Sequence, residues 1–347
     1  MRRTRLAFAL ALMTAPLAHA DTPAAQAPEP ADPWQWLEDV EAPRSLDWVR
    51  AQNADSQKVL EAQPGFGALK DDLLAILDSN ARIPFVSKEG DYFYNFWRDK
   101  QNPAGVWRRT TLEEYRKPEP KWDVLIDLDA INKAEDMNWV WRGADCLRPA
   151  YDRCLVSLSR GGADAIEVRE WDKSDRSFVE GGFRLPEAKG GVTWRDADTV
   201  YAYSDFGDGS MTSSGYPRIV KEWTRGTPVA GAKVVYEGKA EDMYIAGYRD
   251  LTPGFERDFV SRTIAFYNDE LYLRGADGAL TKIDAPNSAN KLPYREWLIL
   301  ELREDYVVGD RVFPKGAVIA AKFDAFMAGG RDFDVLFEPS DTTAFVS

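Results

Sequence analysis

A strand–turn–strand pattern that returns along the chain constrains its fold more than any other feature. In the first copy, residues 85–129, the segment from Tyr92 to Trp97 alternates its side chains between two faces, the period of a β-strand. A turn containing Asn, Pro and Gly follows, and then a second strand at Val106 to Thr111 and an outer strand at Val124 to Asp129. These strands predict one antiparallel sheet.

Similar short closing strands are predicted four more times, at residues 178–183, 233–236, 281–284 and 333–337. The markers of the five closing strands are Ile126, Val179, Val235, Ile283 and Leu336, which lie 53, 56, 48 and 53 residues apart. A period of about 50 residues with four strands in each unit is typical of a β-propeller. We therefore predict a mainly β protein, with a partial propeller of about five four-stranded blades over residues 81–347.

The first twenty residues have the organisation of a secretory signal peptide. Arginines at positions 2, 3 and 5 precede an apolar run over residues 6–17, and small residues precede a cleavage site between Ala20 and Asp21. A membrane anchor would need about 20 apolar residues, more than this run supplies. We expect a periplasmic or secreted protein without a membrane anchor after cleavage, in which residues 21–32, rich in Pro and Ala, form a flexible leader.

Charge and histidine content exclude several classes of function. Removal of the signal peptide deletes three arginines and no acid, so the formal net charge changes from −13 to −16. A chain this acidic does not bind nucleic acid through its bulk charge. The one histidine, His19, lies in the signal peptide, so the mature chain has neither a Ser-His-Asp triad nor a histidine metal site. We predict no cofactor, no metal and no catalytic residue.

The two cysteines predict a disulfide. Cys146 and Cys154 flank the turn-like segment LRPAYDR, and a thiol pair this close in an oxidising compartment is expected to be bridged. A redox-active pair is the alternative, but the spacing differs from the C-x-x-C pattern of such sites.

Two amphipathic helices are expected in residues 33–80, before the β region. Pro43 can begin the first helix, and Pro64 stops it. The second helix carries one apolar stripe, formed by Phe66, Leu69, Leu73, Ile76 and Leu77.

Two tryptophan-rich segments carry a resemblance to a known family. The segments from Pro33 to Asn53 and from Asn95 to Tyr115, together with the LSRGGAD turn, resemble the amino-terminal half of the prolyl oligopeptidase family of serine peptidases. The likeness covers nearly all of residues 33–339. It implies that residues 33–80 pack on an α/β-hydrolase domain. It also implies a seven-bladed propeller that covers the active site and admits only short peptides.

The sequence departs from that family in one decisive respect. The family's catalytic Ser, Asp and His lie in the hydrolase domain that follows the propeller, and the nucleophile elbow of such a domain is G-x-S-x-G. No serine in this sequence has glycine two positions before and two positions after it. We therefore predict the substrate-gating, amino-terminal propeller part of a serine endopeptidase. Its last blades and its hydrolase domain are absent from this sequence, and the chain alone is expected to be inactive.

Two other functions stay open at this stage. One is a non-catalytic propeller that binds peptide or protein. The other is a five-bladed glycosidase, which needs two carboxylates and no histidine. Its candidate acids are Asp127, Asp196, Asp205, Asp250 and Glu301, although strand-end acids commonly form turns. The twelve tryptophans could form a binding wall, but packing between blades is the preferred interpretation.

Overall fold

The computed structural model describes residues 32–345. The predicted signal peptide, its cleavage site at Ala20 and Asp21, and residues 21–31 of the predicted leader lie outside this range and stay predictions. The chain forms two compact units, one ending at Leu74 and the other beginning at Ala75.

The first unit is helical and begins with a tryptophan cluster. A 3-10 helix, Gln35–Glu38, precedes α1, Pro43–Glu61, and α2, Phe66–Leu77, begins in this unit. The Ser45 hydroxyl of α1 donates to the Trp36 carbonyl at 3.1 Å, and the rings of Trp34, Trp36 and Trp48 lie 5.7–6.3 Å apart. These contacts hold the 3-10 helix on α1.

Most of the predicted apolar stripe of α2 is exposed to solvent. Leu69, Leu73, Ile76 and Leu77 each expose at least half of their accessible surface, and Phe66 is half-buried. None of the helices in the described part of the chain is long and apolar enough to cross a lipid bilayer.

The second unit consists mainly of five antiparallel sheets that follow one another along the chain. The first sheet contains β1 (Ser87–Glu89), β2 (Tyr92–Trp97), β3 (Val106–Thr111) and β4 (Asp123–Asp127). The second contains β5 (Trp139–Cys146), β6 (Arg153–Arg160), β7 (Ile166–Asp172), β8 (Ser177–Phe178) and β9 (Arg184–Ala188). The third contains β10 (Gly191–Asp196), β11 (Thr199–Tyr203), β12 (Ile219–Thr224) and β13 (Lys233–Glu237).

The last two sheets repeat the same order of strands. The fourth contains β14 (Tyr244–Asp250), β15 (Arg257–Ala265), β16 (Asn268–Arg274) and β17 (Leu280–Lys282). The fifth contains β18 (Asn290–Tyr294), β19 (Trp297–Glu301), β22 (Val318–Lys322) and β23 (Asp334–Phe337), with a separate hairpin of β20 (Tyr306–Val308) and β21 (Arg311–Phe313). Short helices are α3 (Leu112–Tyr115), α4 (Leu128–Glu135), α5 (Phe323–Met327) and a 3-10 turn at Val229–Gly231. The prediction of a mainly β, five-bladed propeller is confirmed.

All five closing strands differ by one residue or more from their predicted bounds, and in two of them the structure shows the reason. The outer strand of the first sheet ends at Asp127 and not at Asp129, because the Asp127 carboxylate accepts from the Ala130 amide at 3.0 Å and caps α4. Of the strand predicted at residues 178–183, only Phe178 lies in a strand, β8; residues 179–183 form the connection to β9, and both β8 and β9 pair with β7. Gly181, at a φ of +67°, turns the chain between them.

Four apolar clusters hold the sheets together in chain order. One cluster lies between each consecutive pair of sheets, for example Trp107 of the first with Leu158 of the second, and Val220 of the third with Val260 of the fourth. Within residues 32–345, no apolar cluster joins the fifth sheet to the first.

Cys146 and Cys154 lie opposite each other on β5 and β6, and their sulfur atoms form a disulfide. The bridge closes the turn between these two strands. Both residues are buried in the cluster between the first and second sheets, so the disulfide is part of that core.

Candidate functional site

Two arginines on the first strands of neighbouring sheets begin the candidate site. Arg249 on β14 lies opposite Asp258 on β15, and its Nη1 donates to the Asp258 carboxylate at 2.7 Å. Arg195 lies near the end of β10, where the pairing with β11 shifts between Trp194 and Asp196. Such an irregularity redirects a side chain.

The two arginines belong to a line of alternating charges between the third and fourth sheets. Arg195 Nε lies 3.8 Å from Asp258 Oδ2 and 3.8 Å from Glu222 Oε2. Arg274 on β16 forms an ion pair with Glu222 on β12 and donates to the Tyr201 hydroxyl at 2.8 Å. We call Arg249, Asp258, Arg195, Glu222 and Arg274 the charged row. Three guanidinium groups face two carboxylates, so the row itself carries a net charge of about +1 at neutral pH.

The surroundings keep Arg195, Arg274 and the adjacent Tyr201 protonated at neutral pH. Burial alone would lower the pKa of Arg195 and of Arg274, but the facing carboxylates and Tyr201 outweigh it and raise both. Burial raises the pKa of Tyr201 to about 12, so its hydroxyl stays protonated. The guanidinium groups of the row can therefore bind a carboxylate or a peptide carbonyl.

The acids considered for glycoside hydrolysis have local structural roles. Asp127 caps α4, Asp205 accepts from the Ser210 hydroxyl at 3.1 Å, and Asp250 accepts from the Thr252 amide at 2.9 Å. Asp196 lies 3.4 Å from Arg195, and Glu301 accepts from Asn290 at 3.4 Å. Among the described residues, no hydrogen-bond partner is shared by two of these five acids, which gives a glycosidase no support.

Sequence reasoning did not identify the charged row. A usable signal was present, because an Arg-Asp pair recurs at residues 195–196 and 249–250, close to one repeat apart. Its partners Glu222 and Arg274 lie on other strands and are brought together only by the stacking of the sheets. In the part of the chain that the structure describes, no group of three acidic, cysteine or histidine side chains is arranged to hold a metal ion.

Comparison with known proteins identifies the family. Residues 18–250 match the family model described as the prolyl oligopeptidase, N-terminal beta-propeller domain. The chain belongs to the prolyl oligopeptidase family. The resemblance found in the tryptophan-rich segments is thereby confirmed.

Two relatives that are named peptidases match nearly the whole chain. Uncharacterized peptidase y4nA of Sinorhizobium fredii (strain NBRC 101917 / NGR234) is 35% identical over 321 residues, 89% of this chain and 44% of its own length. Uncharacterized peptidase RP174 of Rickettsia prowazekii (strain Madrid E) is 29% identical over 329 residues, 90% of this chain and 45% of its own. The chain therefore spans less than half the length of these relatives.

One solved structure has a closely similar fold. The structure of a post-proline cleaving enzyme from Rickettsia typhi superposes with a TM-score of 0.82 at 29% identity, covering 88% of this chain and 47% of that one. The similarity includes the propeller sheets that form most of this chain.

Proposed function

We propose that this chain is the substrate-gating propeller of a prolyl-oligopeptidase-like serine endopeptidase that acts on short peptides. The observation that carries the proposal is the match of residues 18–250 to the amino-terminal propeller domain of that family. The length relationship supports it, because relatives that are named peptidases are about twice as long as the region they share with this chain. A structural relative is named a post-proline cleaving enzyme, which favours cleavage after proline.

In this proposal the peptide bond is cleaved by the hydrolase domain and not by the propeller. Acyl transfer by a serine peptidase needs an activated serine, a base and an oxyanion hole. No serine of this sequence lies in a G-x-S-x-G elbow. The propeller's contribution is to admit short peptides to the hydrolase and to exclude folded substrates.

The charged row gives the propeller groups that can guide a peptide. The blades of a propeller surround a central channel. Arg195 and Arg249 lie on the first strands of two neighbouring blades, and about a third and a quarter of their side chains are exposed. A guanidinium group forms strong hydrogen bonds with carboxylates, so these two side chains can contact the carboxyl end of an entering peptide.

The proposal can be tested by supplying the hydrolase in trans. The hydrolase half of the Sinorhizobium fredii relative would be expressed alone and mixed with this chain, and co-elution would be measured by gel filtration. We expect co-elution, and we expect the mixture to favour a chromogenic Gly-Pro peptide over a 30-residue proline-containing peptide at least tenfold more than the hydrolase half does alone. Equal selectivity with and without the propeller would contradict gating.

The chain alone provides the second arm of the test. We expect no turnover of the Gly-Pro peptide and no serine labelling by a fluorophosphonate, because no nucleophile elbow is present. Turnover or labelling would contradict the assignment of chemistry to a separate domain. Binding of peptides without co-elution with the hydrolase would instead favour a non-catalytic, peptide-binding propeller.

A further inference from the structure

Three charged side chains occupy the same position on the first strands of three consecutive sheets. Asp145 is the last residue but one of β5, Arg195 is the last but one of β10, and Arg249 is the last but one of β14. We call these three side chains the rim. The three strands belong to the second, third and fourth sheets, so other sheets of this chain flank the rim on both sides.

Hydrogen bonds between the first strands hold the rim together at one height. The Trp194 indole of β10 donates to the Asp145 carbonyl of β5 at 2.9 Å. The Thr193 hydroxyl of β10 donates to the Gly247 carbonyl of β14 at 2.8 Å. The first strands of these sheets therefore converge, as the inner strands around the central channel of a propeller do.

The carboxylate of Asp145 is short of compensating groups. It is accessible to solvent, but no side chain among residues 32–345 donates a hydrogen bond to it or forms an ion pair with it. Desolvation by the surrounding protein, followed by the charge of Glu89, raises the pKa of Asp145, and the Trp194 amide and the charge of Arg148 oppose this only in part. A cation beside this carboxylate would remove the deficit.

The two arginines of the rim are short of acceptors. A guanidinium group carries five N–H donors. In the part of the chain that the structure describes, the Arg249 side chain donates one hydrogen bond, to Asp258 at 2.7 Å, and the Arg195 side chain donates one, to Asp196 at 3.4 Å. The Arg195 Nε is buried without a partner among these residues. A carboxylate would supply two acceptor oxygens in the geometry that a guanidinium fork prefers.

The rim therefore has an anionic side and a cationic side, and their separation suits a short peptide. Stacked sheets lie about 10 Å apart, so Asp145 is one sheet spacing from Arg195 and two, about 20 Å, from Arg249. An extended peptide spans about 3.5 Å per residue. A peptide of about three to six residues is long enough to place one end at Asp145 and the other at the arginines.

We propose that the rim binds short peptides with two free ends, with the amino-terminal ammonium on Asp145 and the terminal carboxylate on Arg195 and Arg249. The two charges fix the direction in which the peptide lies along the rim. An internal segment of a longer chain carries neither terminal charge, so it gains nothing there. This inference rests on the proposed function and deepens it, because it names peptides with two free ends as the class that the propeller admits.

Titration calorimetry on the whole 347-residue chain tests the proposal. The probes are the tetrapeptide Ala-Ala-Pro-Leu with both ends free, its N-acetyl form, its carboxamide, and the same peptide blocked at both ends. We expect the free peptide to bind about tenfold more tightly than either singly blocked form, because each block removes one charge-assisted contact. The peptide blocked at both ends should bind most weakly.

Two variants separate the two sides of the rim. Asp145→Asn should remove the preference for a free amino end and keep that for a free carboxyl end, whereas Arg195→Gln should reduce only the preference for a free carboxyl end. A variant that merely perturbed the fold would weaken both preferences alike. The controls are Arg160→Gln and Glu187→Gln, which break a 2.8 Å ion pair between β6 and β9, away from the first strands. Both controls should keep both preferences.

Three results would overturn the proposal: equal affinity for the free peptide and the peptide blocked at both ends, equal loss of both preferences in Asp145→Asn, and loss of either preference in a control. The comparison of free with blocked peptides uses the unaltered chain, so it does not depend on whether a variant folds. It also needs no hydrolase, so a failure here is distinguishable from a failure of co-elution or of gating.

Discussion

The contact between the fourth and fifth sheets is mostly apolar, whereas the contact between the third and fourth sheets depends largely on charges. The contact between the fourth and fifth sheets contains fifteen buried apolar residues. The contact between the third and fourth sheets contains four, namely Tyr201, Val220, Ile245 and Val260. Both contacts join neighbouring blades of one propeller, so the difference lies in their side chains and not in their topology.

The apolar contact gains most of its stability from burial. Leu298 and Leu300 of β19 are fully buried, and Phe313 and Phe333 pack edge to face with 5.4 Å between ring centroids. One buried ammonium, that of Lys291, is bonded to the Asp269 carboxylate at 3.0 Å and to backbone carbonyls. Burial of apolar surface contributes about 25 cal/mol per Å², and it does not depend on charge screening.

The charged contact is held differently. The charged row crosses it, and three of the row's atoms, Arg195 Nε, Asp258 Oδ1 and Arg274 Nε, are buried without a hydrogen-bond partner among the described residues. Burying ions costs free energy that their mutual attraction only partly recovers. We infer that the third and fourth sheets separate more readily than the fourth and fifth, and that salt and acid affect mainly the charged contact.

The largest expected effect is on the apolar contact. Leu298→Ala leaves a cavity beside fully buried neighbours, and we expect the free energy of unfolding to fall by about 4 kcal/mol. Urea unfolding at 0.1 M and 1 M NaCl measures it, and the loss should be the same at both salt concentrations. The control is Leu292→Ala, because Leu292 is 53% exposed. A similar loss in the control would contradict the assignment of Leu298 to the core.

Asp258→Asn should produce the next largest effect. The substitution keeps the shape of the side chain but leaves Arg249 and Arg195 without their shared carboxylate. Because uncompensated charge would remain in a largely buried site, we expect a loss of about 3 kcal/mol in the free energy of unfolding. The loss should shrink in 1 M NaCl, where the screening length is about 3 Å.

Asp196→Asn is the matched control for that substitution. Asp196 also faces Arg195, at 3.4 Å, but about half of its side chain is exposed. An exposed pair contributes about 0–1 kcal/mol, so this variant should change stability little. If both variants lost equal stability, or if the loss in Asp258→Asn were independent of salt, the charged row would not be what holds this contact.

Gly247→Ala tests the close approach of the same two sheets. A Cβ at Gly247 would lie 2.5 Å from Val220 Cγ1, so the Val220 side chain or one of the strands β12 and β14 must move. We expect a loss of about 2 kcal/mol, as for overpacking of a core. Hydrogen exchange should become faster in β11 and β12 and stay unchanged in β19. Gly231→Ala is the control, because no atom lies within 4 Å of its added Cβ.

The sequence predicted the strands that recur in each repeat, but it did not predict the side-chain contacts that form between repeats. The alternation of side chains in residues 92–97 and the turns rich in Gly, Pro and Asn were enough to predict the strands, because the pattern of each strand is local. β1 was missed because only three residues carry its pattern. The end of β4 was misplaced because Asp127 acts as a helix cap, a role that depends on the helix after it.

The charged row could not be read from local patterns. Glu222 and Arg274 are 52 residues apart and meet only when two sheets stack. Arg108 is a similar case, since the rings on either side of it, Trp97 and Trp122, come from different segments of the first sheet and its flanking loop. In both cases the residue types were visible in the sequence, but their partners were set by packing.

The smallest expected effect is the pH dependence of stability that Glu270 contributes, close to the contact between the third and fourth sheets. Glu270 on β16 accepts from Lys282 at 2.7 Å, from Tyr272 at 2.6 Å and from Arg262 at 3.1 Å. The bond from Lys282, followed by that from Tyr272, lowers the pKa of Glu270 to about 2, against the opposing effect of burial. Arg262 also holds Asp242, which precedes β14, so these groups join the fourth sheet to the loop after the third.

A carboxyl group whose pKa is lower in the folded state stabilises the fold above its unfolded pKa of about 4.3 and stops doing so as the pH falls toward its folded pKa. For Glu270 the contribution should therefore be complete at pH 6 and decline between about pH 4.5 and pH 2. We expect it to be about 1 kcal/mol, because Lys282 is partly exposed and solvent screens the pair.

The difference in the free energy of urea unfolding between the unaltered chain and Glu270→Gln isolates the contribution of Glu270 from that of the other acids. That difference should shrink as the pH falls from 6 to 2.5, and hydrogen exchange over β14 and β16 should respond before that over β19. A difference that stayed constant over this pH range would show that the Glu270 carboxylate does not make the stability of this part of the propeller depend on pH.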